Sequence, residues 1–351
     1  MKVALLILGS IMILFSFLPI IRTHYWWIRI LDFPRVQVAT FCLAILGIYA
    51  FTVGISHTID YVFAVLLIAA TINEVVRFFP FTFLSPVQAK SVKHPHPLNQ
   101  FSFMISNVRM ENDEYKKFLE LVKKTDPDML LINEPDNRWQ QALQELDVKY
   151  PFCVKKPQEN TYGMMFYSKL EIVNSEINFL VEDGIPSFNC LIKMNNGFLF
   201  ELFTVHPQPP RFRKDTDKRE AELILVAKRA KESKYPVIVA GDLNDVAWSH
   251  TTRLFQRISG LLDPRVGRGF YNTYNAHVPF FRYSLDHIFY DRSFSLVELK
   301  RLSYFGSDHF PILIKLSHEP QKAKEQEVPK ADLEDKQEAN EMIRDGFKDK
   351  D

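Results

Sequence analysis

The sequence predicts two unlike parts. An amino-terminal region of membrane-spanning helices comes first, followed by an α+β domain read as a packed β-sandwich flanked by helices. Three observations carry this. Only eight charged side chains (Lys2, Arg22, Arg29, Asp32, Arg35, Asp60, Glu74 and Arg77) fall in residues 1–80, although charged residues make up 24% of the 351. Two long charge-free apolar runs occupy that stretch. Beyond residue 98, short alternating runs are interleaved with segments of helical spacing, and several of the strand-like runs follow one another as hairpins do. With 12 glycines and three isolated cysteines, collagen-like and disulfide-framework readings are excluded, as is any CxxC zinc or redox motif. A net charge of +1 gives no global steering toward nucleic acid.

The first run, residues 3–21, and the second, 36–56, each match the roughly 20 residues a helix needs to cross a bilayer. A third, about 60–78, spans if Asp60 and Glu74 lie at the interfaces. No Ala-x-Ala-like cleavage site follows the first run. Arg22, Tyr25, Trp26 and Trp27 follow instead, an interfacial anchor, so the run is read as a retained span and not a signal peptide. With three spans, Arg22, Arg29, Arg35, Arg77, Lys90 and Lys93 share one side, opposite Lys2. The positive-inside rule then predicts a multi-pass cell-membrane protein whose large domain is cytoplasmic. With two spans the side reverses.

Residues 81–97, polar and proline-bearing, are expected to form a linker, 98–318 the domain, and 319–351 a charged, disordered tail of 11 acidic and 7 basic residues. The anchor carries +2 and the tail −4, so the part between carries +3. Within the domain, strands are expected near 101–108, 129–132, 163–167, 171–180, 188–194, 198–205, 236–240, 285–290, 296–302 and 311–315. Helices are expected near 115–124, 140–146 and 216–231.

Polar residues sit where these apolar runs end. Asn107 follows FSFMIS, Asn133-Glu134 follow MLLI, and His206 follows FLFELFTV. Gly241-Asp242-Leu243-Asn244 follow PVIVA, Asp286-His287 interrupt a strand-like run, and Ser307-Asp308-His309 precede FPILI. Strand ends along one sheet edge can face a single cleft. Carboxylates, amides and imidazoles, without a catalytic thiol or a Gly-x-Ser-x-Gly elbow, suit Mg2+ or Mn2+ and metal-assisted attack of water on a phosphate ester.

This ordered set resembles the endonuclease/exonuclease/phosphatase superfamily over roughly residues 100–316, including its exonuclease III-like, deoxyribonuclease-like and neutral sphingomyelinase-like members. VIVAGDLND (237–245), SLDHIF (284–289) and GSDHFPI (306–312) carry most of the likeness, with SNV, INEP, YGMMFYS and TVHPQPP in support. The preceding membrane region makes it similar to a bacterial membrane-anchored branch. The resemblance implies a four-layer α/β/β/α sandwich and a hydrolase of phosphoric ester bonds. It implies Glu134 as metal ligand, with Asn107 and Asp308 beside the metal, and His206 on the scissile phosphate. It implies Asp242 positioning or activating water, Asn244 stabilising phosphoryl charge, and Asp286 orienting His309. Whether Asp242 or His309 is the base stays open. Two departures stand out: Asn133 replaces the usual Gln before the glutamate, and His287 stands where Tyr is frequent.

For substrate contacts we expect Tyr162, Arg268 and Arg282. Basic residues (Arg211, Arg213, Lys214, Lys218, Arg219, Arg253, Arg257, Arg265) and the aromatics at 270–283 suit either a nucleic-acid backbone or phospholipid headgroups. No obligate protein partner is inferred. The expected function is a membrane-anchored, divalent-metal-dependent phosphodiesterase, nuclease-like or acting on a lipid. The alternative is a membrane-tethered binding protein that keeps the fold without catalysis.

Overall fold

The computed structural model describes residues 1–210, 212 and 214–348. The chain begins with α1 (Lys2–Phe17), a short α2 (Trp26–Arg29), α3 (Arg35–Thr52) and α4 (Thr58–Phe78). Helices over Lys2–Ile20, Arg35–Thr52 and Thr58–Phe81 are long and apolar enough to cross a membrane. They pack as a bundle, as small and polar groups in apolar helices allow. A Cβ on Gly9 would lie 2.3 Å from the Phe63 ring, so α1 and α4 touch closely there. Ser16 Oγ donates to the Ala70 carbonyl at 3.1 Å, and Asn73 Nδ2 donates back to the Ser16 carbonyl at 2.9 Å.

The domain adds β1 (Gln100–Asn107), α5 (Tyr115–Thr125), β2 (Met129–Asn133), α6 (Asn137–Ala142), α7 (Leu146–Lys149), β3 (Phe152–Lys156) and β4 (Met164–Ser168). Then come β5 (Glu171–Asn178), β6 (Ser187–Lys193), β7 (Leu199–Thr204), α8 (Asp217–Glu232), β8 (Val237–Asp242) and α9 (His250–Ser259). The last elements are β9 (Asp286–Tyr290), β10 (Phe294–Arg301), β11 (Ile312–His318) and α10 (Leu333–Gly346). Two sheets form, ordered β10-β11-β1-β2-β4-β3 and β5-β6-β7-β8-β9. A buried apolar layer that includes Phe103, Leu131, Phe166, Leu202 and Ile288 lies between them. A second layer under α5–α7 covers the outer face of the first sheet, and a third under α8–α10 covers the second sheet. This is the expected four-layer sandwich.

Two departures concern the ends of the domain. Residues 319–351 are not a disordered tail as far as residue 348. α10 opens on a capping box at Asp332 and Asp335, and buries Ala339 and Met342 against α8 and α9. A Cβ on Gly346 would lie 2.3 Å from Ala221 Cβ, which shows how closely the helices approach. So few apolar residues at helical spacing are hidden among charges that the composition alone reads as solvated. The 81–97 segment is likewise fixed: Val92 N donates to the Leu296 carbonyl at 2.9 Å, and Ala89 is fully buried.

The amino-terminal helical region is docked on the domain. Trp248 Nε1 donates to the Asp32 carbonyl at 2.8 Å, Gly267 N to Pro80 O at 2.8 Å, and Thr216 N to His24 O at 2.9 Å. Beneath this, Arg35 is buried between Glu74, at 3.0 Å, and Asp32, which also pairs with Arg29 at 3.3 Å.

Candidate active site

Sheet register brings the polar strand ends together. β1 and β2 run parallel, with Asn107 opposite Asn133, and β7 and β8 run parallel. Their carboxyl ends therefore lie on one edge. β9 is antiparallel to β8, with Asp286 opposite Asp242, and β11 is antiparallel to β1, so these strands begin on the same edge. Asn107, Glu134, His206, Asp242, Asp286 and His309 meet there, as the sequence led us to expect.

Asn107, 1% exposed, is the central clamp. Its Nδ2 donates to Glu134 Oε1 at 2.8 Å and to Asp242 Oδ2 at 3.0 Å, and its Oδ1 accepts from Arg109 N at 2.9 Å. Its amide donor side thus holds two carboxylates together. Glu134 has a positive φ of 64°, an uncommon state for a glutamate, held by a bond from its N to the Gly163 carbonyl at 2.9 Å. A Cβ at Gly163 would lie 1.9 Å from the Pro135 carbonyl, so only glycine brings the two chains this close. Gly241 serves β8 in the same way, facing the Val205 carbonyl at 1.9 Å from a virtual Cβ with φ at 147°.

His309 Nδ1 lies 2.8 Å from Asp286 Oδ2, and its Nε2 lies 3.6 Å from Asp242 Oδ2. Burial alone would push this imidazole down, but Asp286 and Asp242 raise it to about 10, so it holds its proton at neutral pH. His206, 2% exposed, places Nε2 at 3.8 Å from Glu134 and 4.0 Å from Asp242, with the Tyr162 ring 5.6 Å from its own. Glu134 is pushed up to about 7, mainly by burial and further by the charges of Asp242 and Asp308, against the Asn107 hydrogen bond and His309. Among the described residues, no lysine or arginine pairs with Glu134, Asp242, Asp286 or Asp308. Asp242, Asp286 and His309 bring ligand atoms within 4.8 Å of one another. This concentration of hard oxygen donors fits a divalent cation, whose charge would offset the repulsion among the carboxylates.

Asn244 takes the left-handed conformation at φ 51°, and its Nδ2 donates to Pro207 O at 2.9 Å, which joins the His206 loop to the Asp242 loop. Asp308 is half-buried at the site edge, its carbonyl accepting from Ala276 N at 2.7 Å. Three further residues support the site: Ser307 and Thr273, which had no role in the sequence reading, and Tyr274, expected there only among the substrate-contacting aromatics. Ser307 Oγ donates to the Asn107 carbonyl at 2.8 Å and accepts from His309 N at 3.1 Å. Thr273 Oγ1 accepts from Asp286 N at 3.3 Å. Tyr274 bridges His309 through its backbone, and the two ring centroids are 5.0 Å apart. A serine two residues before the closing histidine was a usable signal for the first; the other two come from a loop with no local pattern.

The expected substrate arginines separate. Arg268 is not in the cleft: its Nη2 donates to Ala89 O and to Ser91 Oγ at 2.9 Å, and its Nη1 donates to Pro264 O at 3.0 Å, so it secures the 81–97 segment. Arg282 braces the rim, bonding the carbonyls of Asn275 and Ala276 at 3.3 and 3.1 Å over the Phe310 ring. His287 faces away from the cleft, between Arg265 at 2.7 Å and the Asp245 carbonyl at 2.8 Å, where burial and the Arg265 charge keep it neutral. The expected basic surface is also largely spent internally. Arg257 grips Asp335, Arg265 pairs with Asp263 at 2.6 Å, Lys218 with Glu182 at 3.4 Å, and Arg219 is buried. Arg211 and Arg213 lie outside the described residues.

With this geometry in view, the comparisons agree. The profile of the Endonuclease/Exonuclease/phosphatase family matches residues 104–309, more than half of the chain. The chain belongs to that family, hydrolases of phosphoric ester bonds that act with a divalent metal. Among solved structures it is similar to zebrafish (D. rerio) TDP2 complexed with a single-strand DNA product, at TM-score 0.53 and 18% identity, covering 62% of this chain and 99% of that one. The human nocturnin catalytic domain with bound sulfate gives 0.52 and 18%, over 68% and 98%. An endonuclease/exonuclease/phosphatase from Bacteroides vulgatus gives 0.52 and 17%, over 63% and 99%. At these identities the likeness establishes the fold alone. No curated protein matches significantly.

Proposed function

We propose that this chain is a membrane-anchored, Mg2+-dependent phosphodiesterase, with Mn2+ able to take the same ligands. One observation supports it above the others: a single asparagine, Asn107, holds Glu134 and Asp242 side by side, directly opposite the Asp286–His309 pair. Glu134, with Asp308 beside it, would hold the ion. When bound, the ion would supply Lewis-acid polarisation of the phosphoryl group and offset its charge. His309, kept protonated by Asp286, donates from Nε2 to a phosphoryl oxygen. His206 donates from the other side of the carboxylates, and Asn244 holds the loop that closes over the same oxygens. Asp242 then has the base's task, accepting a proton from the attacking water, with its Oδ1 fixed by Asn244 N at 2.9 Å. Tyr162 and Arg282 shape the rim.

The test uses the full chain in detergent, with bis(p-nitrophenyl) phosphate and Mg2+. Hydrolysis abolished by EDTA, by Asp242→Ala and by His309→Ala is expected. Wild-type rates in either variant would overturn the assignment of these roles. The arginines on one side of the three spans support a cytoplasmic domain, and a carboxyl-terminal alkaline phosphatase fusion that is active in cells would overturn that.

A further inference from the structure

The cleft rim and the membrane helices are in contact. Residues 275–283 form the loop between Tyr274, which bridges His309, and β9, which carries Asp286. This loop is tied to the site by Ala276 N donating to Asp308 O at 2.7 Å. Its other side lies on α3 and the residues just before it: Gln37 Nε2 donates to Phe280 O at 2.6 Å, the Phe280 ring meets the Phe41 ring at 6.2 Å, and Tyr283 meets Phe33, ahead of α3, at 5.5 Å. The buried Arg35 ion pairs mark the polar end of α3. Phe41 lies six residues further, about 9 Å along the helix, inside the apolar span. With α3 crossing a bilayer, Phe280 would lie at acyl-chain depth, and 53% of it is exposed, as are 49% of Phe281 and 41% of Val278. An apolar tip so exposed at that depth would have lipid as its solvent. Between α3 and the rim lies a cavity of about 230 Å3, lined by Val36, Thr40, Phe270, Phe280, Tyr283 and Arg282. Its apolar side is continuous with the span and its one charged group sits toward the catalytic edge.

We propose that the substrate is a phosphodiester lipid of the bilayer, its chain lying beside α3 and its phosphate reaching Glu134 and His309 over the 275–283 rim. This rests on the phosphodiesterase reading. The water oxygen bonds to phosphorus, one ester P–O bond breaks, and the leaving oxygen takes up a proton. A nucleic-acid substrate fits less well. The cations that would track a polyanion are largely paired within the protein, and part of the aromatic set that would stack bases is packed against the amino-terminal helices and the domain. Phe270, for example, lies 6.1 Å from Phe78 and 5.5 Å from Trp248.

The test compares three probes with the full chain in phosphatidylcholine nanodiscs: hexadecyl p-nitrophenyl phosphate, bis(p-nitrophenyl) phosphate and a single-stranded oligonucleotide. The expected kcat/KM is at least about tenfold higher for the hexadecyl ester than for the soluble one, and Phe280→Ser lowers that ratio about tenfold, the scale of one apolar side chain's burial. A second reading needs no turnover: in Phe280→Trp, the added fluorescence is quenched by brominated acyl chains. A ratio near one, faster cleavage of the oligonucleotide, or an unquenched tryptophan would overturn the proposal. Cleavage of none of the three would overturn the phosphodiesterase reading itself, while the quenching still reports whether the rim enters the bilayer.

Discussion

Replacing Asp286 with asparagine keeps its shape and removes its charge from a buried pair of the site. Asp286 is 1% exposed and its Oδ2 lies 2.8 Å from His309 Nδ1. His309 stands at about 10 instead of its ordinary 6.5, with Asp286 the largest of the carboxylates that raise it. Losing that charge lowers the imidazole and loosens its orientation, and since a positioned acid–base group contributes about 10²–10⁴-fold to the rate, a fall in kcat on the order of 10²-fold is expected. Because His309 donates only while protonated, the alkaline limb of kcat belongs near its own titration in the wild type. In Asp286→Asn that limb moves toward neutral pH. The assay is kcat against pH on bis(p-nitrophenyl) phosphate with Mg2+, alongside thermal unfolding of the same variant. A kcat within roughly threefold of wild type, an unmoved alkaline limb and an unchanged Tm would refute the reasoning.

Three further expectations follow from other parts of the molecule. Mg2+ at a hundredfold excess over its Kd should stabilise the wild type by about 2.7 kcal/mol, read as a rise in Tm that Glu134→Ala abolishes. The hydrogen bond to Glu220 at 2.6 Å raises the His24 imidazole above its usual value, so the stability from this pair is complete below about pH 6.5 and lost as pH climbs through the raised value. Amide exchange at Thr216, which bonds the His24 carbonyl, should then speed up above neutral pH by more than the intrinsic rate does. Burial pushes the Glu222 carboxyl on α8 up to about 8, with Glu182 adding to the effect. The folded chain therefore holds a proton that the unfolded chain releases, and stability falls from about pH 4.5 to 8. Glu222→Gln should gain on wild type across that window in chemical denaturation, and a constant difference would contradict it.

What the sequence made legible was whatever an apolar run followed by a polar residue could encode. Asn107, Glu134, His206 and Asp242 each close such a run, and parallel register then brings them together. Asp286 opens β9 and His309 lies just ahead of β11, and antiparallel pairing puts both strand starts on the same edge. β3 escaped because only Val154 is buried along Phe152–Lys156, which leaves no alternation to detect. α9 was obscured by its arginines: Arg253 and Arg257 suggested a phosphate-binding patch, while Leu254, Phe255 and Ile258 were the side that mattered. Arg268 misled for the same reason. A guanidinium in sequence is equally ready for a phosphate or for two backbone carbonyls, and only the position of residues 89–91 decides.

The last helix touches the first loop. Arg22 pairs with Glu334 at 2.8 Å and with Glu338 at 3.3 Å, and His24 lies 3.5 Å from Asp345. The same helix covers the second sheet by packing on α8 and α9. One element therefore serves two unrelated purposes, roofing a sheet and fastening the amino-terminal helices to it. Deleting residues 333–346 undoes both at one stroke, leaving the helical bundle held to the domain through contacts such as those at Asp32, Pro80 and the 81–97 segment.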